Sequence, residues 1–209
     1  MIKKIQISNY EELPFTFEPE IKIKRTVIVY GDSFADAALD YKDELPNNNR
    51  INSWMWFLSN FLQARIITYG VSGGSEQLCY EIFCRTKDCY RDATIIYHTR
   101  PHRPDNYLKL GHLNRKSYVA WDKLLNENCV HLYWDSLPLY RFKNGTSFQT
   151  RYHLTHSCDP DQKFNIHKNF YFDPTLSHSG ANHATQPGNL LLAIRLAQHF
   201  KKIGWEMVF

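Results

Sequence analysis

Thr26-Val27-Ile28-Val29-Tyr30 is an unbroken run of β-branched and aromatic residues that ends at Gly31. Such a run suits a strand buried on both faces, as in a parallel sheet covered by helices. Ala64 to Tyr69, Ala93 to His98 and Cys129 to Trp134 have the same character. Helical patterns lie between them. Ser53 opens the first, with Trp54, Phe57, Leu58, Phe61 and Leu62 on one face. Ser75 is placed to cap the second, with Leu78, Cys79, Ile82 and Phe83 inward. Tyr118, Trp121, Leu124 and Leu125 mark a third. The last runs from about Gly188, with Leu192, Ala193, Leu196, Phe200 and Ile203 inward and Gly204 just beyond its end. Strands alternating with helices imply βαβ units and a mostly parallel sheet.

Three regions fit less simply. Residues 1–25 carry Pro14 and Pro19 and read as an N-terminal arm with one strand. Asn144-Gly145, between Tyr140–Lys143 and Thr146–Gln149, reads as the turn of a hairpin inserted near residues 138–150. Residues 150–187 have no clear period, and a stretch that long in a compact domain is usually functional.

The chain has 209 residues, which favours one domain, 1–209, at a prior of ~150 residues per domain. Hydrophobic residues make up 43% and charged residues 22%, which excludes wholesale disorder. A net charge of +4, scattered along the chain, does not call for nucleic acid. No apolar stretch approaches the ~20 residues of a membrane helix, and no apolar run follows the basic N-terminal residues as in a signal peptide. Cys79, Cys84, Cys89, Cys129 and Cys158 are odd in number and lack paired or zinc-type spacing. They read as free thiols in a reducing compartment, and the location expected is cytoplasmic.

The segment richest in chemistry is Tyr30-Gly31-Asp32-Ser33-Phe34-Ala35-Asp36. It follows the first buried strand, and ligands of open α/β sheets bind outside the carboxyl ends of the strands. Ser33 would therefore sit at the rim of a site, at or near a helix N-terminus that favours an oxyanion. By itself Ser33 reads equally well as a helix N-cap. A serine nucleophile also needs a base, usually histidine.

Gly31-Asp32-Ser33-Phe34-Ala35-Asp36 resembles the first block of the SGNH (GDSL-type) hydrolases, a family of esterases, lipases and carbohydrate O-deacetylases. Tyr69-Gly70-Val71-Ser72-Gly73-Gly74-Ser75 is similar to the oxyanion turn of that family's second block, with the donor N–H on Gly73. His183-Ala184-Thr185-Gln186-Pro187-Gly188, before the last helix, is similar to its final block. The three blocks stand in the family's order. The resemblance implies a three-layer, flavodoxin-like α/β sandwich and ester hydrolysis by Ser33 with His183 as base. It implies no cofactor and no metal. The partner implied is a small-molecule or carbohydrate ester.

The sequence departs from the pattern twice. The family's aspartate three residues before the histidine is replaced by Gly180, and its third-block Asn is missing after His98. Asp135, at the end of the fourth strand, or Asp173, in the last loop, could orient His183; a backbone carbonyl could do so less well. Arg100, His102 or Arg103 could supply the third oxyanion donor or bind an anionic part of the substrate. The departures also admit an SGNH-like binding or structural module without catalysis, and an acyltransferase is a third reading. Delivery without a signal, as a virion component, would reconcile a cytoplasmic reading with an external substrate.

Ten histidines include no recognised ligand motif, so those other than His183 read as surface or loop residues. Asp36 reads as structural, bonding the turn. The 99–112 loop, rich in Pro, Arg and His, is expected to border the site.

Overall fold

A computed structural model describes residues 1–7, 10–20, 22–36, 53–99, 113, 115–133, 140–149 and 186–208. In chain order the elements are β1 (Ile5–Ile7), β2 (Tyr10–Leu13), β3 (Phe15–Phe17), β4 (Arg25–Gly31), α1 (Trp54–Leu62), β5 (Ala64–Gly70), α2 (Glu76–Thr86), β6 (Ala93–His98), α3 (Arg115–Leu124), β7 (Cys129–Tyr133), β8 (Thr146–Gln149) and α4 (Gln186–Lys202). Six strands form one sheet in the order β3-β5-β4-β6-β7-β8. Neighbours from β5 to β8 run parallel, and only β3 is antiparallel to its partner β5. This is the expected mixed α/β architecture with a mostly parallel sheet.

Side chains alternate across a strand, so a strand apolar at every position must be covered twice. Val27 and Val29 of β4 join Trp54, Leu58 and Leu62 of α1 and Leu192, Leu196 and Phe200 of α4 on one face. Ile28 and Tyr30 join Leu78, Ile82 and Phe83 of α2 and Tyr118 and Trp121 of α3 on the other. Burying each such side chain contributes ~1.5–3 kcal/mol, so the two helical layers follow from the apolar run in β4.

Most helix ends are where the sequence places them, but α4 starts at Gln186 rather than about Gly188, and Ile203, expected inward, lies past its end and is exposed. Ser53 and Ser75 cap α1 and α2, each Oγ accepting the N–H three residues on, at 3.1 Å. At the end of α4 the Trp205 N–H bonds Phe200 O, the Gly204 N–H bonds Lys201 O, and the Phe200 and Trp205 rings pack 4.6 Å apart. Gly204 has φ +91°, so this is a Schellman end with its apolar contact.

Two expectations are corrected. The N-terminal arm holds three short strands rather than one: β1 pairs antiparallel with β2, and β3 extends the main sheet. Asn144-Gly145 is not a hairpin turn. Residues 140–143 form no strand, and β8 runs parallel to β7. The reason is Asp122 on α3. Its carboxylate accepts the Lys143 and Asn144 N–H groups at 3.0–3.1 Å and the Tyr140 hydroxyl at 3.0 Å, and its carbonyl accepts Asn144 Nδ2 at 2.8 Å. Donors spent on a helix carboxylate cannot form a ladder. Gly145 (φ +94°) then passes so close to β7 that a Cβ there would lie 2.3 Å from Cys129 O.

Candidate active site

β5, β4 and β6 lie side by side, with Gly31 in register with Gly70 on one side and Tyr97 on the other. Beyond Gly31, residues 32–35 make a turn closed by Ala35 N–H to Asp32 O at 2.9 Å. The Asp32 side chain accepts the Phe34 N–H at 3.1 Å. Ser33 thus lies in a turn beyond the carboxyl end of β4. Ser33 is 7% exposed.

This turn is held on several sides. Trp54 Nε1 donates to Phe34 O at 2.8 Å, and the Phe34 ring stacks on Tyr97. Thr68 Oγ1 donates to Ala35 O at 2.5 Å. The turn lies so close over the sheet that a Cβ on Gly70 would come within 2.1 Å of Ala35 C and O. One on Gly31 would come within 2.8 Å of Tyr97.

The neighbouring strand ends in the second turn. Val71 N–H bonds Gly31 O at 3.0 Å, and Gly74 N–H bonds Val71 O at 2.9 Å. Gly73 has φ +75°, and its N–H has no hydrogen-bond partner among the described residues. Asp36 Oδ2 accepts the Ser72 N–H at 2.7 Å, so the structural role read for Asp36 is observed. The turns of Ser33 and Gly73 are therefore joined beyond aligned strand ends.

His183, Asp135, Asp173, Arg100, His102 and Arg103 lie outside the described residues, as do Gly180 and Cys158. Cys79, Cys84, Cys89 and Cys129 are free thiols, and burial pushes Cys79 and Cys129 well above the usual thiol range.

One buried assembly was not foreseen. Glu76 Oε1 lies 2.6 Å from His98 Nδ1, and Glu76 Oε2 accepts the Thr99 N–H at 3.2 Å. His98 Nε2 lies 2.8 Å from His131 Nδ1, and His131 Nε2 lies 3.0 Å from Asn144 O. His98 and His131 are 4% and 0% exposed, which corrects their reading as loop or surface residues. The bonding order follows from the last acceptor. A carbonyl only accepts, so His131 Nε2 carries a proton. Burial, with His98 beside it, lowers the His131 pKa to about 3, so this ring is neutral and its Nδ1 accepts. His98 Nε2 therefore donates, and one proton lies between His98 Nδ1 and Glu76. Tyr133 stacks on His98 at 4.5 Å and Phe142 on His131 at 4.4 Å. The available signal was a histidine between Val130 and Leu132 in an otherwise apolar strand. Among the described residues, no three His, Cys, Asp or Glu side chains are grouped to hold a metal.

No family model and no curated protein matches the sequence. Solved structures do. A lipolytic-type protein of the G-D-S-L family from Desulfitobacterium hafniense DCB-2 is similar over 84% of this chain and 99% of its own, with 14% identity and a TM-score of 0.53. A carbohydrate esterase family 2 enzyme with its carbohydrate-binding domain, from Corynascus thermopiles (Myceliophthora fergusii), aligns over 94% of this chain and 70% of its own, with 14% identity and a TM-score of 0.47. The chain has an SGNH-like fold. Identity this low speaks for the fold alone. Among the described residues no helix is long and apolar enough to cross a membrane.

Proposed function

We propose that the chain is a serine hydrolase that cleaves esters through an acyl-enzyme on Ser33. The supporting observation is the joined pair of turns: Ser33 past β4, Gly73 past β5 with an N–H that has no partner among the described residues, and the Asp36–Ser72 bond between them. In this reading His183 takes the Ser33 proton as Oγ attacks the ester carbonyl. The N–H groups of Ser33 and Gly73 hold the tetrahedral oxyanion, with Arg100, His102 or Arg103 as a third donor. His183, oriented by Asp135 or Asp173, then protonates the leaving alcohol. Water attacks the acyl-enzyme, His183 takes its proton, and Ser33 is released with the acid product. No metal or cofactor enters these steps. The substrate class is an ester of a small acyl group, including acetyl on a carbohydrate.

Hydrolysis of p-nitrophenyl acetate by wild type and Ser33→Ala tests this. The reading expects turnover that Ser33→Ala abolishes. Gly180, in the place of the family's aspartate, favours a second reading, a binding module without catalysis. Equal rates for wild type and Ser33→Ala would select it.

A further inference from the structure

We propose that Glu76 is a positioning residue for this hydrolysis, locking the Gly73 turn to the carboxyl end of β6. The inference rests on the reading of Ser33 and Gly73 given above. Glu76 is the first residue of α2 and follows Gly73 by three positions, with the cap Ser75 between them. Helix start and turn therefore move together. The strand order is β5-β4-β6, and α2 follows β5, yet Glu76 bonds the end of β6. Its carboxylate thus reaches past β4, the strand that carries Ser33. Three adjacent strand ends are locked by one side chain and by the Asp36–Ser72 bond.

The grip has two points. One carboxylate oxygen meets the His98 ring and the other takes the Thr99 N–H. His98 cannot turn away, because its second nitrogen is bound to His131, which is bound in turn to Asn144 O. Glu76, His98, Thr99 and His131 are all buried, so shifting Glu76 would strand polar groups away from water. A buried polar chain of this kind is weak evidence for added stability; the role proposed for it is to hold one geometry. Oxyanion donors need that, since a ~1 Å misplacement costs ~100-fold in rate.

Two mild variants separate reach from charge. Glu76→Gln preserves every bond: its amide N–H donates to His98 Nδ1 and its oxygen accepts the Thr99 N–H. Glu76→Asp keeps the charge but shortens the side chain by ~1.5 Å. Both are compared with wild type on p-nitrophenyl acetate, with thermal midpoints taken to confirm folding. Positioning predicts that Glu76→Gln keeps kcat within about threefold and that Glu76→Asp loses ~10- to 100-fold, with KM nearly unchanged in both. A wild-type rate in Glu76→Asp overturns the proposal, whatever Glu76→Gln does. So does a kcat in folded Glu76→Gln as low as in Glu76→Asp, because charge would then matter. Inactive wild type overturns the hydrolase reading itself, whereas active wild type with either pattern overturns the role of Glu76 alone.

Discussion

The Asp36 carboxylate accepts the Ser72 N–H at 2.7 Å and so joins the turn that carries Ser33 to the turn that carries Gly73. The two residues are 36 positions apart in sequence and belong to turns beyond adjacent parallel strands. In the proposed mechanism a nucleophile and an oxyanion donor act together only at a fixed spacing, and this bond is a direct link between their turns.

Asp36→Ala removes the acceptor. Hydrogen bonds to charged groups contribute ~1.5–3 kcal/mol, and this partly exposed one falls at the low end. The expected outcome is a modest drop in urea midpoint with a ~10-fold or larger loss of kcat on p-nitrophenyl acetate. Asp36→Asn, which keeps an acceptor oxygen, loses less of both.

Gly70→Ala tests the close approach of the first turn to the sheet. The new Cβ would stand 2.1 Å from the carbonyl of Ala35, which is backbone and cannot swing aside. A loss of about 3 kcal/mol in urea unfolding is expected, at the upper end of overpacking costs. Ser33 sits in the displaced turn, so activity should fall as well.

Much of this architecture is legible in the residues. β4, β5, β6 and β7 are apolar at both parities, which forces burial on both faces and a parallel sheet. Ser53, Ser75 and Gly204 mark helix ends by local chemistry alone. What is not legible depends on distant partners. Asn144-Gly145 has a hairpin's local signal, but Asp122, about twenty residues earlier, takes the donors that a hairpin would need. His98 and His131 look like isolated histidines until β6 and β7 are paired, two residues out of step, with His98 opposite Tyr133. The N-terminal strands β1 and β3 have three residues each, too few to show a period. Ser33 and Gly73 stand out in the sequence because both turns follow strongly marked strands and resemble the family's blocks.

Asp122→Ala leaves the Lys143 and Asn144 N–H groups and the Tyr140 hydroxyl without their acceptor. A cost of about 3 kcal/mol is expected. The loss should be local first: amide hydrogen exchange at Thr146–Gln149 of β8 should accelerate more than at β4.

His131 makes stability pH-dependent. Its folded pKa, lowered by burial to about 3, lies below the ordinary histidine value. The unfolded chain binds this proton first, so the contribution is present above about pH 6.5 and fades as pH falls towards 3. About 2–3 kcal/mol should be lost between pH 7 and 4.5 from this group, measured by denaturant unfolding against His131→Gln. The His131 ring signals in NMR should not titrate over that range, and titration near pH 6 would contradict the buried, neutral assignment.

The central claim is that Ser33 is the nucleophile, and covalent labelling tests it most directly. Native protein is treated with a fluorophosphonate probe, digested, and the modified peptide mapped by mass spectrometry. The account predicts a single adduct on Ser33, formed at neutral pH and absent in Ser33→Ala and in heat-unfolded protein. No adduct on Ser33 in native protein, or an adduct on another serine that persists in Ser33→Ala, would contradict it.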